Sequence, residues 1–155
     1  MLTPTICRMK VEAQRLAGSA QPGQFLIVRA DEQGERIPLT ISDYDRNAGT
    51  VTIVTQKIGA STTEICTYEE GDSFADVVGP LGVPSDFTEM SSEELAGKKY
   101  VFIAGGVGTA PVYPQVKWLH ERGVAVDVII GIESSLVLLE EGVCYDQCIF
   151  LAKLY

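Results

Sequence analysis

Tyr100-Val101-Phe102-Ile103-Ala104-Gly105-Gly106-Val107-Gly108-Thr109-Ala110-Pro111 reads as a buried strand that ends in glycines and turns directly into a helix. Glycine permits the positive φ of such a turn and lets a ligand approach the backbone, while the helix N-terminus favours negative charge. Gly106-x-Gly108-x-x-Pro111 carries proline where a dinucleotide fingerprint has its third glycine, and no Gly-Lys-Ser/Thr follows to make a Walker loop. Pro111 suits the first turn of a helix, where an N–H has no intrahelical partner. The stretch is therefore either a phosphate-facing turn or simply a tight strand–helix connection.

Downstream, helix and strand patterns alternate. Ala110–Arg122 is expected to be a helix stopped by Gly123, Val124–Ile130 a buried strand, and Cys148–Ala152 offers a third. Residues 100–155 thus read as a short α/β domain with a parallel sheet and helices over both faces. Thr88–Lys99, with Glu89, Glu93 and Glu94, reads as a linker. Upstream, residues 1–87 read as a small β-barrel or sandwich of short strands. Its strands are expected at Ile6–Glu12, Gln24–Ala30, Ile37–Ser42, Thr50–Gln56 and Ser73–Val78, with a turn at Arg46-Asn47-Ala48-Gly49. Residues 59–68 lack alternation and predict a helix opened by Ser61 or Thr62 as N-cap.

Composition narrows the function classes. The 155 residues carry a net charge of −9, and the twelve basic residues are dispersed, which argues against nucleic acid. No run of 18 apolar residues is present and the N-terminus lacks the order of a signal peptide, so neither membrane insertion nor secretion is expected. A cytoplasmic chain should keep Cys7, Cys66, Cys144 and Cys148 reduced. Cys144 and Cys148 are two ligands short of a structural zinc site, so no metal is expected. The single histidine, His120, falls in the expected helix 110–122 and reads as a surface residue rather than a proton carrier.

Five segments occur together in one order: Pro22-Gly23-Gln24-Phe25, Arg36–Ile41, Gly59–Thr63, Gly79-Pro80-Leu81-Gly82 and Gly105–Pro114. In these, over roughly residues 2–141, the chain resembles the ferredoxin–NADP reductase superfamily. Within it, the likeness is to the small FAD-binding subunits of NADH-dependent reduced ferredoxin:NADP oxidoreductase (sulfide dehydrogenase) and to dihydroorotate dehydrogenase electron-transfer subunits. The resemblance implies a flavin-binding β-barrel domain followed by a nucleotide-binding α/β domain, here truncated. It places Ile37, Pro38, Leu39 and Thr40 against the flavin ring and ribityl chain, and Val54, Thr55 and Gln56 on its other side. It gives Gly59, Ser61 and Thr62 to the FAD pyrophosphate, and Gly105, Gly106, Gly108, Thr109 and Pro111 to NADH or NADPH. The usual Arg-x-Tyr-Ser motif is replaced by Ile37-Pro38-Leu39-Thr40, with Arg36 one residue ahead, and a one-residue shift in a strand reverses the face.

The resemblance further implies hydride transfer from nicotinamide to flavin without a catalytic acid or base, and onward passage of electrons to an iron–sulfur partner. That partner is a larger flavin or iron–sulfur subunit, or ferredoxin. Full-length relatives carry a [2Fe–2S] cluster on a cysteine-rich segment, and Cys144 with Cys148 cannot supply its four ligands. Gly131-Ile132-Glu133-Ser134 is where the choice between NADH and NADPH would be made. The alternative is an inactive, truncated flavin-binding module of a larger electron-transfer complex.

Overall fold

The computed structural model describes residues 4–132 and 148–154. Five strands form the first sheet: β1 (Ile6–Glu12), β2 (Phe25–Arg29), β3 (Ile37–Asp45), β4 (Thr50–Gln56) and β5 (Asp76–Leu81). They pair antiparallel in the order β1-β4-β3-β2-β5. Strand β3 is shared between two partners. Its first half, through Thr40, pairs with β2 and its second half, from Ile41, with β4.

The hand-over comes with a bulge at Ser42, because Ile41 faces Ile53 but Asp43 faces Thr52. An extra residue bends the strand and changes which side chains point to each face. A second register shift lies between Phe25 and Ile27 on β2. The sheet wraps a core of Leu26, Val28, Leu39, Ile41, Val51 and Ile53. Helix α1 (Gln14–Ser19) adds Leu16 and Ala17 to it, and helix α2 (Ala60–Ile65) adds Ile65.

Residues 86–96 are largely helical, with a 3₁₀ turn at Asp86–Glu89 and helix α3 (Ser92–Ala96). Ser91 and Glu94 cap α3 reciprocally: Ser91 Oγ accepts from the Glu94 N–H, and Glu94 Oε2 accepts from the Ser91 N–H. Phe87 and Leu95 are buried in a second core. That core belongs to β6 (Tyr100–Gly105), α4 (Thr109–His120) and β7 (Val126–Ile132). Val116, Leu119, Val126 and Val128 complete it. Gly123 takes φ +73° just past α4, as a helix stop requires.

Four expectations are corrected. β8 (Cys148–Leu154) pairs antiparallel with β7, so the second sheet is mixed; only β6 and β7 are parallel. Among the described residues the sheet is covered on one face only, since Val101 and Ile103 on β6 are 56% and 75% exposed while α4 packs on the other side. The N-cap of α2 is Gly59, because Thr62, three residues in, folds its hydroxyl back to accept from the Ile58 and Gly59 N–H groups. Finally, Cys7 and Cys66 are joined by a disulfide rather than reduced, with their Cα atoms 5.7 Å apart. The bond ties β1 to the C-cap of α2.

Candidate functional site

On β4, Val51 and Ile53 face the first core, so Thr52, Val54 and Gln56 lie on the outer face. On β3, Leu39 and Ile41 face inward and Pro38 and Thr40 outward. The register that sets Ile41 opposite Ile53 brings Thr40 beside Val54 on that outer face. Leu39, 9% exposed, and Thr55, 2% exposed, point inward, and they reach an outer-face ligand only through their backbones. Thr55 Oγ1 is buried with no hydrogen-bond partner, whereas Ile37 and Gln56 are half-buried.

At the end of β4 the chain enters α2. The first-turn N–H groups of a helix have no intrahelical acceptor, and here they belong to Ala60, Ser61 and Thr62. A Cβ added at Gly59 would meet open space, which leaves the backbone approachable. Ser61 Oγ donates to Glu35 Oε2 at 2.7 Å. A carboxylate thus stands where an anion would be welcomed. Arg36 does not neutralise it, being paired with Asp76 at 3.5 Å.

The glycine turn faces this surface from the second sheet. Gly106–Gly108 form a 3₁₀ turn that rests against β4 and leads into α4. Gly106 takes φ +52°, and added Cβ atoms at Gly106 or Gly108 would meet open space. Thr109 and Pro111 lie in the first turn of α4 and are half-buried. Helix α4 then runs back across β3, where Lys117 Nζ contacts Asp43 Oδ1 at 2.7 Å. That hydrogen bond raises the Lys117 pKa above its ordinary 10.5.

The outer face of β3 and β4, with the start of α2 at its end, and the glycine turn into α4 therefore lie next to each other where that turn rests against β4. This is the ferredoxin–NADP reductase fold. The chain superposes on the structure of an NADH-dependent reduced ferredoxin–NADP oxidoreductase with a TM-score of 0.78 and 32% identity, over 90% of this chain and 49% of that one. Phthalate dioxygenase reductase shares the fold at 16% identity and a TM-score of 0.59. In sequence, the chain is 36% identical over 133 residues to a dihydroorotate dehydrogenase B (NAD(+)) electron transfer subunit homolog of Thermotoga maritima, covering 84% of this chain and 45% of the relative. It is 58% identical over 140 residues to an uncharacterized protein in an adh 3' region of Clostridium beijerinckii, covering 90% of this chain and 47% of the relative. The chain spans about half the length of these relatives. No family model matches the chain.

Of the residues singled out in the sequence, the structure puts Pro38, Thr40, Val54 and Gln56 on one outer face, Gly59, Ser61 and Thr62 at the start of α2, and Gly105, Gly106, Gly108, Thr109 and Pro111 at the turn into α4, while Leu39 and Thr55 are buried. Glu133 and Ser134, and Cys144 with the rest of 142–147, lie outside the described residues. His120 is exposed on α4, as expected. No helix among the described residues is long and apolar enough to cross a membrane. Sequence reasoning missed Glu35 and the Lys117–Asp43 pair. The first sits in a polar loop, and the second joins residues 74 apart.

Proposed function

We propose that the chain is the FAD-binding part of an electron-transfer oxidoreductase that draws electrons from NADH or NADPH. The observation that carries this reading is that the approachable glycine turn, Gly105–Thr109, rests against β4, whose outer face adjoins β3 and whose end leads into the open backbone at Gly59. FAD fits the first: neutral N–H donors at the start of α2 suit a pyrophosphate, and Pro38, Thr40, Val54 and Gln56 offer a mixed surface for the ring system. A flavin held there would supply the chemistry that links two-electron hydride transfer to one-electron transfer.

The protein's own part is binding and orientation. Gly59, Ser61 and Thr62 would hold the pyrophosphate, and Thr62 would do so through its N–H, its hydroxyl being engaged in the cap. Ile37, Leu39 and Thr55 would contribute backbone groups, which can stabilise charge on a reduced flavin. Gly105, Gly106, Gly108, Thr109 and Pro111 would present N–H groups and space to the nucleotide. Electrons would pass from the flavin to an iron–sulfur partner, a larger subunit or ferredoxin; Cys7 and Cys66, joined to each other, are not ligands to such a centre. The cytoplasm, where reduced nicotinamide nucleotides circulate, is the compartment this reading assigns, and there the Cys7–Cys66 bond is open to reduction.

The bare face of β6 favours a second reading, in which the chain binds flavin but works only inside a larger assembly. The visible spectrum after loading with FAD, before and after anaerobic NADH or NADPH, separates the two. Bleaching supports the oxidoreductase, bound but unbleached flavin supports the module, and failure to bind FAD overturns both.

Glu35→Gln should tighten FAD binding about three- to tenfold at low salt. It removes a carboxylate beside the pyrophosphate cradle while keeping an acceptor for Ser61. Fluorescence titration checks this. An affinity unchanged from the parent protein would mean that the pyrophosphate lies away from Ser61.

A further inference from the structure

We propose that Lys117 is a positioning residue: its contact with Asp43 latches α4 onto β3 and so sets the gap between the two cofactor cradles. The inference rests on the reading above. The two elements joined by this contact are the two that would carry the cofactors. Helix α4 begins at the glycine turn, and β3 carries Pro38 and Thr40 a few residues before Asp43.

The bulge explains how Asp43 reaches α4. By simple alternation from Leu39 and Ile41, Asp43 would point into the core. The extra residue, Ser42, reverses that phase and sets Asp43 opposite Thr52, whose side chain lies on the outer face of β4. The Asp43 and Lys117 side chains are 32% and 35% exposed, so water is partly excluded from around them. A second tether runs parallel to it: Ser85 Oγ donates to Gln115 Oε1 at 3.0 Å, and Gln115 Nε2 donates to the Pro111 carbonyl at 2.9 Å.

Polar contacts share this work with buried Pro114 of α4. Beside the latch, a groove of about 460 Å³ lies between α4 and the β3–β4 hairpin, lined by Tyr44, Arg46, Trp118 and Arg122 among others. Beside such a groove, discrete polar contacts contribute to fixing the relative orientation of the two elements. Hydride transfer is steep in geometry, and a misplacement of 1 Å from a distant change costs on the order of 100-fold.

The test uses Lys117→Met, Asp43→Asn and the exchanged pair Asp43→Lys/Lys117→Asp in the FAD-loaded protein. Amide hydrogen exchange over 105–120 should rise about tenfold in each single variant and return in the exchanged pair, with β1–β4 unchanged. FAD affinity should stay constant, while the rate of flavin bleaching by NADH or NADPH falls roughly 10- to 100-fold. Unaltered exchange in the single variants overturns the latch. Faster exchange with an unaltered bleaching rate overturns its positioning role. If the parent protein is not bleached at all, the oxidoreductase reading fails, and exchange alone still decides whether the latch holds α4.

Discussion

Reducing the Cys7–Cys66 disulfide lowers the stability of the antiparallel domain by about 4 kcal/mol, and its melting temperature by roughly 10 °C or more. The two cysteines are 59 residues apart, so the bond closes a long loop and removes much of the freedom of the unfolded chain. The loss is also local. Helix α2 has six residues, too few to persist alone, and is held by buried Ile65 and by Cys66 at its C-cap. When the bond opens, the N–H cradle at Ala60–Thr62 loosens with the helix, and FAD affinity falls together with stability. Thermal melts with and without a thiol reductant check this, alongside a Cys7→Ser/Cys66→Ser variant whose melting should ignore the reductant. A melting temperature indifferent to reductant in the parent protein would show that the bond carries no stability.

Gly106→Val leaves flavin binding intact and slows reduction of the flavin by NADH or NADPH on the order of 100-fold. Gly106 sits at φ +52°, where a β-branched residue is a steric outlier, and forcing a side chain there costs about 1–2 kcal/mol. Relief of that strain moves the turn, and with it the neighbouring Gly108 and Thr109 N–H groups. The new methyls also enter open space that a nucleotide would occupy. Stopped-flow reduction of the FAD-loaded variant is the measurement. Wild-type rates would mean that the nicotinamide nucleotide does not approach this turn.

Much of this architecture is written locally. Strands β1 and β4 coincide with the expected Ile6–Glu12 and Thr50–Gln56 because Cys7–Glu12 and Thr50–Ile53 alternate apolar with polar residues and a glycine-containing turn precedes β4. The glycine turn after β6 was equally plain. Strand β3 was expected to end at Ser42 but runs on to Asp45, since a bulge ends the alternation without ending the pairing. Strand β5 was expected at Ser73–Val78 and lies at Asp76–Leu81, because Gly79-Pro80, whose peptide bond is cis, stands inside the strand rather than after it. Helix α1 is too short, at six residues with Gly18 and Ser19, to display a helical period. Contacts made only in the folded chain left no local trace. The Cys7–Cys66 bond, the Ser61–Glu35 contact and the Lys117–Asp43 latch join residues 59, 26 and 74 positions apart.

The bare flank of β6 has a bearing on handling. Val101 and Ile103 project from a strand that, among the described residues, pairs on one edge only, with β7. Unpaired backbone groups beside an apolar ribbon invite lateral growth from molecule to molecule. With a surplus of nine negative charges, the molecules repel one another at low ionic strength, and added salt screens that repulsion. Colloidal lifetime is thereby set by two opposing ranges, a long one that salt abolishes and a short one that salt leaves intact. Dilute, low-salt solutions are the conditions in which the chain stays dispersed.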